Sequence, residues 1–146
     1  MIVKKRILAI DDEVRVLTMI RKRLEFTGYE VITATDGREG LQLARSEKPD
    51  LIVLDIILPN LDGYQICARL KADESLKNIP ILMLTARSQA KDVEEGMKVG
   101  ADAYMTKPYD PELFVKQVES LLEEVEVKVE VEKDPLPLPS EVSGER

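Results

Sequence analysis

The chain has 146 residues, enough for one domain with a real core, and its hydrophobic content of 44% is ordinary for a globular protein. A formal charge of −7 argues against a nucleic-acid surface, and an aromatic content of 4% leaves the core to Leu, Ile, Val and Ala. One cysteine forbids an internal disulfide, and the absence of histidine excludes a phosphohistidine on this chain, an imidazole base and a His-containing zinc site.

Short apolar runs alternate with longer amphipathic stretches, the pattern of a βαβ chain. Strand one is predicted over Lys5–Ile10. Helix one follows over Glu13–Phe26, with Val14, Leu17, Ile20 and Leu24 on one stripe and Gly28 as its stop. Strand two is predicted over Glu30–Ala34, and Asp36 caps a second helix over Gly37–Ser46. Strand three takes Asp50–Leu54, and helix three Leu61–Ala72 with Ile66 and Leu70 inward. Cys67 falls on that inward face, as a small buried thiol.

Pro80 opens strand four, the apolar run Ile81–Leu84 ending in Thr85. Helix four, over Gln89–Val99, is polar and carries Gly96 inside it, which makes it the weakest element. Met97 and Met105 read as core filler. Strand five covers Ala103–Met105, and Asp110 caps a fifth helix that starts at Pro111 and runs to about Glu124. Strict alternation predicts an α/β fold, a doubly wound five-stranded parallel sheet with helices on both faces.

One domain is expected over residues 1–123, with a tail over 124–146. In the tail, Val125, Val127, Val129 and Val131 alternate with charged residues. That period of two suits an edge strand, the alternatives being a charged linker or a continuation of helix five. Pro135, Pro137 and Pro139 then point to a flexible or polyproline end. No apolar stretch reaches the ~18 residues of a membrane span, and the N-terminus lacks the apolar run of a signal peptide, so a cytoplasmic chain with no membrane association is expected.

Asp55 directly follows the run Leu51–Leu54, and Asp11 and Asp12 follow Ile7–Ile10. Thr85 ends strand four, and Lys107 follows the run from Ala103 to Thr106. In a parallel sheet these carboxyl ends share one rim, where open α/β sheets bind ligands. Clustered carboxylates raise one another's pKa unless a cation compensates. With no histidine present, oxygen ligands suit Mg²⁺ completed by a phosphate. Lys107 and Thr85 then supply a charge and a hydroxyl for phosphoryl oxygens, and Asp55 is the natural nucleophile for an aspartyl-phosphate.

The motifs Asp11-Asp12-Glu13, Asp55, Leu58-Pro59-Asn60-Leu61-Asp62-Gly63, Thr85-Ala86 and Lys107-Pro108 together resemble those of a response-regulator receiver domain of two-component signalling, over about residues 4–123. The resemblance implies a flavodoxin-like (βα)5 fold with strand order 2-1-3-4-5. It implies that Asp55 accepts a phosphoryl group from a histidine kinase or phosphotransfer protein. It implies Mg²⁺ on Asp12, Asp55 and the backbone carbonyl of Ile57, with Asp11 acting mainly through water. It makes Thr85 and Tyr104 switch residues, commonly with a cis Lys107-Pro108 bond, and gives the chain no catalytic turnover beyond its own phosphorylation and dephosphorylation. Glu13 is read as a helix cap rather than a ligand.

The expected output is a change of protein contacts through the face of helix four, strand five and helix five, toward a downstream protein target and with a homodimer possible. No output module is expected after residue 123, so the chain acts by protein contact or is part of something longer. Two other readings remain. One is a receiver-like binding module that never takes phosphate, which the complete acid set disfavours. The other is a haloacid-dehalogenase-like Mg²⁺-dependent aspartyl-phosphate phosphatase, which wants a second acid where this chain has Ile57. A flavodoxin that binds flavin would want a phosphate loop where Asp11-Asp12-Glu13 stands.

Overall fold

A computed structural model describes residues 3–133, with side chains through residue 125. The elements in chain order are β1 (Arg6–Ile10), α1 (Val14–Phe26), β2 (Glu30–Ala34), α2 (Gly37–Glu47), β3 (Leu51–Leu54), α3 (Gly63–Ala72), β4 (Ile81–Thr85), α4 (Ala90–Lys98), β5 (Ala103–Thr106) and α5 (Pro111–Lys133). The five strands are parallel, in the order β2-β1-β3-β4-β5, which is the expected flavodoxin-like topology.

Side-chain alternation along buried strands divides the core into two layers. Leu8, Ile10, Ile52, Leu54, Ile81 and Met83 point to one face, where Leu41 and Ala44 of α2 and Ile66, Cys67 and Leu70 of α3 cover them. Ile7, Ala9, Leu51, Val53, Leu82 and Leu84 point to the other, under Leu17, Ile20 and Leu24 of α1 and Phe114, Val118 and Leu121 of α5. Phe114 is fully buried, so its truncation to alanine would cost about 3–5 kcal/mol.

Local signals set the element ends. Asp36 accepts the Glu39 N–H at 2.8 Å, and Asp110 accepts the Glu112 N–H at 2.9 Å. Gly28, at φ +103°, stops α1. Helix three starts two residues later than expected because Asp62 caps it, in a reciprocal pair with Gln65. Among the described residues no helix is long and apolar enough to cross a membrane.

Three expectations are corrected. Val14 is 65% exposed: it is the first residue of α1, and the face that the helix buries is made by Leu17, Ile20 and Leu24. Met97 is 46% exposed, because the buried face of α4 is made by Asp92 and Gly96. The valines from Val125 onward lie in helix, since α5 continues to Lys133 across the expected boundary at residue 123. Extending a formed helix adds a hydrogen bond per residue without a new nucleation step, and that outweighs the weak strand preference of valine. The proline-rich end lies outside the described residues.

Gly63 shows how tightly the site loop is folded. A Cβ there would meet the Asp55 carbonyl oxygen at 2.4 Å and the Ile56 Cα at 2.6 Å, both backbone atoms that cannot swing aside. Gly63→Ala is therefore expected to lower stability by about 1–3 kcal/mol. A urea midpoint equal to that of the wild type would show that the loop yields freely.

Candidate functional site

Strand register builds the site. Ile10 pairs with Leu54, so the next residues, Asp11 and Asp55, emerge side by side. Their backbone N–H groups remain in the sheet ladder, Asp11 donating to Ala34 at 3.1 Å and Asp55 to Ile10 at 3.0 Å. Thr85 pairs with Thr106, and the Lys107 N–H donates to the Thr85 carbonyl at 2.8 Å, which brings Lys107 to the same rim. The Lys107–Pro108 peptide is cis, as the resemblance implies.

The rim is a compact electrostatic cluster. Asp11 is 2% exposed, Asp55 5% and Thr85 0%, whereas Asp12 is exposed. One carboxylate oxygen from each of Asp11, Asp12 and Asp55 lies within 4.8 Å of the others. The Lys107 ammonium bridges the two buried acids, with Nζ 2.6 Å from Asp11 Oδ2 and 3.2 Å from Asp55 Oδ2. Glu13 Oε1 stands 3.8 Å away. Burial pushes the Asp11 carboxyl above its usual range, against the hydrogen bond from Lys107. Burial acts to lower the Lys107 pKa, but the hydrogen bond to Asp11 and the charge of Asp55 prevail and raise it.

The acids are also held in orientation. Asp11 Oδ1 accepts the Glu13 N–H at 2.9 Å, and Asp55 Oδ1 accepts the Ile57 N–H at 3.2 Å. Glu13 occupies the N-cap position of α1, but its side chain makes no capping hydrogen bond. The all-oxygen donor set, with three carboxylates converging, fits Mg²⁺ in kind. The backbone at Ile57 is beside them, with its side chain 50% exposed.

Thr85 and Tyr104 meet through a residue that the sequence reading did not single out. Thr85 Oγ1 accepts the Arg87 N–H at 3.4 Å, and Tyr104 donates its hydroxyl to the Arg87 carbonyl at 2.8 Å. The Arg87 guanidinium is 3.5 Å from Asp92, which caps α4 by accepting the Gln89 N–H at 3.2 Å. Tyr64 of α3 donates to the Asp92 carbonyl at 3.2 Å. Burial, then neighbouring Tyr64 and Asp92, push the Tyr104 hydroxyl up to about 12. Gly96 lets α4 close onto this ring, since a Cβ there would meet Tyr104 Cε2 at 3.0 Å. The spacing Gln89-Ala90-Lys91-Asp92 carried a capping signal, but nothing in the sequence marked Arg87 as the junction.

Cys67, as expected, is buried, and burial raises its thiol to about 11. That leaves little thiolate at neutral pH and no reason to place it in the chemistry.

A family model described as the response regulator receiver domain matches residues 7–119. The alkaline phosphatase synthesis transcriptional regulatory protein PhoP of Bacillus subtilis (strain 168) is 46% identical over 123 residues, which are 84% of this chain and 50% of PhoP. The chain thus spans about half the length of that relative. A solved structure of a CheY-like response regulator receiver domain protein from Methanospirillum hungatei JF-1 superposes with TM-score 0.81 at 30% identity, covering 86% of this chain and 99% of that one. Chemotaxis protein CheY4 of Vibrio cholerae gives TM-score 0.77 at 34% identity, covering 82% and 99%.

The geometry predicts a specific response to losing the ammonium. Lys107→Met leaves Asp11 and Asp55 facing each other, and the metal-free protein is expected to lose about 3 kcal/mol. Added Mg²⁺ should then raise Tm more in the variant than in the wild type. A variant whose melting ignores Mg²⁺ would show that the acids do not form a cation site.

Proposed function

This chain belongs to the response regulator receiver family, and we propose that it is a phosphoacceptor switch that takes a phosphoryl group on Asp55. The supporting observation is the contact of Lys107 with both buried acids of the rim, beside the exposed Asp12 and the buried hydroxyl of Thr85.

In the proposed reaction a carboxylate oxygen of Asp55 attacks the phosphorus of a phosphohistidine. The O–P bond forms, the N–P bond breaks, and the imidazole leaves with a proton. Asp12, Asp55 and the Ile57 carbonyl would hold Mg²⁺, with Asp11 supporting it through water. Bound there, the ion supplies charge neutralisation between the incoming phosphoryl oxygens and the acids. The backbone N–H of Ile57 holds Asp55 Oδ1, which leaves Oδ2, now facing the Lys107 ammonium at 3.2 Å, as the oxygen that would attack. Lys107 moves from the acids toward the phosphoryl oxygens, and Thr85 donates its hydroxyl to one of them. The chain turns over no external substrate in this scheme.

The phosphodonor would dock beside the rim. Phe26, 89% exposed, and Met19, 61% exposed, border a shallow groove with Tyr109 and Pro111 just after Lys107. Lys22 and Arg23 also border it. A contiguous apolar patch edged by charge is the usual mark of a protein contact.

Output is proposed to run through Arg87. Phosphorylation adds roughly −1.5 to −2 charge and three strong acceptors at the rim. Turning the Thr85 hydroxyl toward them removes it from the Arg87 N–H, and Arg87 also holds Tyr104 and the start of α4. The face of α4, β5 and α5 thereby changes its contacts to a protein target or a second copy.

Two experiments test these steps. Incubation with Mg²⁺ and acetyl phosphate, followed by intact mass, should add one phosphoryl group to the wild type and none to Asp55→Asn. Equal labelling of the two would remove Asp55 from the reaction. Tyr104→Phe keeps the ring but loses its donation to Arg87. Labelling should proceed normally in this variant, while the phosphorylation-dependent change in oligomeric state or target binding falls about fivefold or more, as expected for a net hydrogen-bond contribution near 1 kcal/mol. An unchanged response would exclude the Tyr104–Arg87 contact from the output path.

A further inference from the structure

A cleft of about 600 Å³ between α2 and α3 shares no lining residue with the acid rim. On α2, Arg38, Leu41, Gln42, Arg45 and Ser46 recur at the spacing of one helical face. Across from them stand Arg69 of α3 and Leu61 of the preceding loop. Leu41, 5% exposed, and the half-buried Leu61 make an apolar floor.

The three arginines are exposed, and no acidic side chain lines the cleft. Among the described residues none of the three forms an ion pair with a carboxylate. Asp73 feels the charges of Arg45 and Lys48, behind its hydrogen bonds to Ser75, but pairs with neither. In a chain of net charge −7, this is a concave surface of the opposite sign.

The cleft is preformed. Gly37, the first residue of α2, sits so close to the loop that a Cβ would meet the Leu61 carbonyl oxygen at 2.1 Å. Its N–H donates to the Pro59 carbonyl at 3.3 Å. These contacts fix the separation of the Leu61 and Arg38 walls. Arg38 and Arg45 stand two helical turns apart, about 10 Å along the axis, within reach of a common ligand for side chains of that length.

We propose that this cleft binds a nucleoside polyphosphate. Arg38, Arg45 and Arg69 take the phosphate oxygens through their planar donor forks. The base lies over Leu41 and Leu61, and Gln42 and Ser46 meet its polar edge. The volume is that of a small-molecule site, within the usual ~300–1,000 Å³. Recognition needs no metal, because the compensating charge is already in the side chains. The site is separate in its residues from the phosphoacceptor reading and does not depend on it.

The test uses the full chain in EDTA, which removes the metal that phosphate binding at the acid rim requires. Calorimetric titrations with ATP and with GTP are run beside inorganic triphosphate and a poly-glutamate peptide. Saturable one-to-one binding of a nucleotide is expected, retained in Asp55→Asn and weakened about tenfold by Arg38→Gln or Arg69→Gln alone. Arg38→Gln/Arg45→Gln/Arg69→Gln should bind no nucleotide while melting like the wild type, since all three side chains are exposed. Failure of both nucleotides to saturate at millimolar concentration overturns the proposal, as does undiminished binding by the triple variant. Triphosphate binding as tightly as either nucleotide would show an adventitious polyanion only. Preference for poly-glutamate would make the cleft a contact for an acidic protein instead.

Discussion

Two carboxylates with less than a tenth of their surface exposed cannot both stay ionised at one rim without a cation, and Lys107 supplies it. Its ammonium lies 2.6 Å from Asp11 and 3.2 Å from Asp55, although the three residues are far apart in the chain. Neighbouring charges of one sign penalise each other strongly when water is excluded. The bridge therefore sets the condition for all else at the rim: both acids stay ionised there only while a positive charge stands between them. Sheet register satisfies that condition, because β1, β3 and β5 deliver their next residues to the same edge.

The two-layer core explains why the edge is so well fixed. β1, β3 and β4 are buried on both faces, with alternate side chains locked under α2 and α3 or under α1 and α5. A one-residue slip would exchange the faces of a strand and carry its terminal acid away from the rim. Packing thus holds charges where electrostatics alone would scatter them. The same logic leaves α4 as the adjustable element. Its buried face is Asp92 and Gly96 rather than large apolar side chains, and polar links to Arg87 and Tyr64 do much of the fastening.

What was legible in the sequence follows this division. Apolar runs ending in Asp11, Asp55, Thr85 and Lys107 announced both the strands and the rim, because buried parallel strands read as continuous hydrophobic segments. Asp36, Asp62 and Asp110 are helix caps, of which Asp36 and Asp110 could be read directly. The expected strand at Val125–Val131 failed because alternation is a local signal, and the helix entering from Pro111 extends through it. Val14 failed because helical periodicity gives a face without saying where along the helix its burial begins, and Met97 because an apolar side chain does not reveal that Asp92 and Gly96 make the buried face of α4. Arg87 was invisible because its contacts to Thr85 and Tyr104 are made by its backbone, which no side-chain identity encodes.

Charge counting connects the resting arrangement to the proposed switch. The three acids of the cluster outnumber the one ammonium, and Glu13 adds a fourth carboxylate 3.8 Å from it, so the rim carries an excess of negative charge that suits a divalent cation. Phosphorylating Asp55, which would form an acyl phosphate, would remove one carboxylate charge but bring up to about two on the phosphoryl group. The rim would then be more negative, and the new charge would lie farther out than the Asp55 carboxylate. In the proposed switch Lys107 would answer that displacement, since it already bridges the acids and its stem is flexible. Thr85 is uncharged and would follow by hydrogen bonding, and its present partner is the N–H of Arg87. In the proposed switch a shift of charge by a few ångströms at the rim would thus become the loss of a hydrogen bond at Arg87, in the loop that leads into α4.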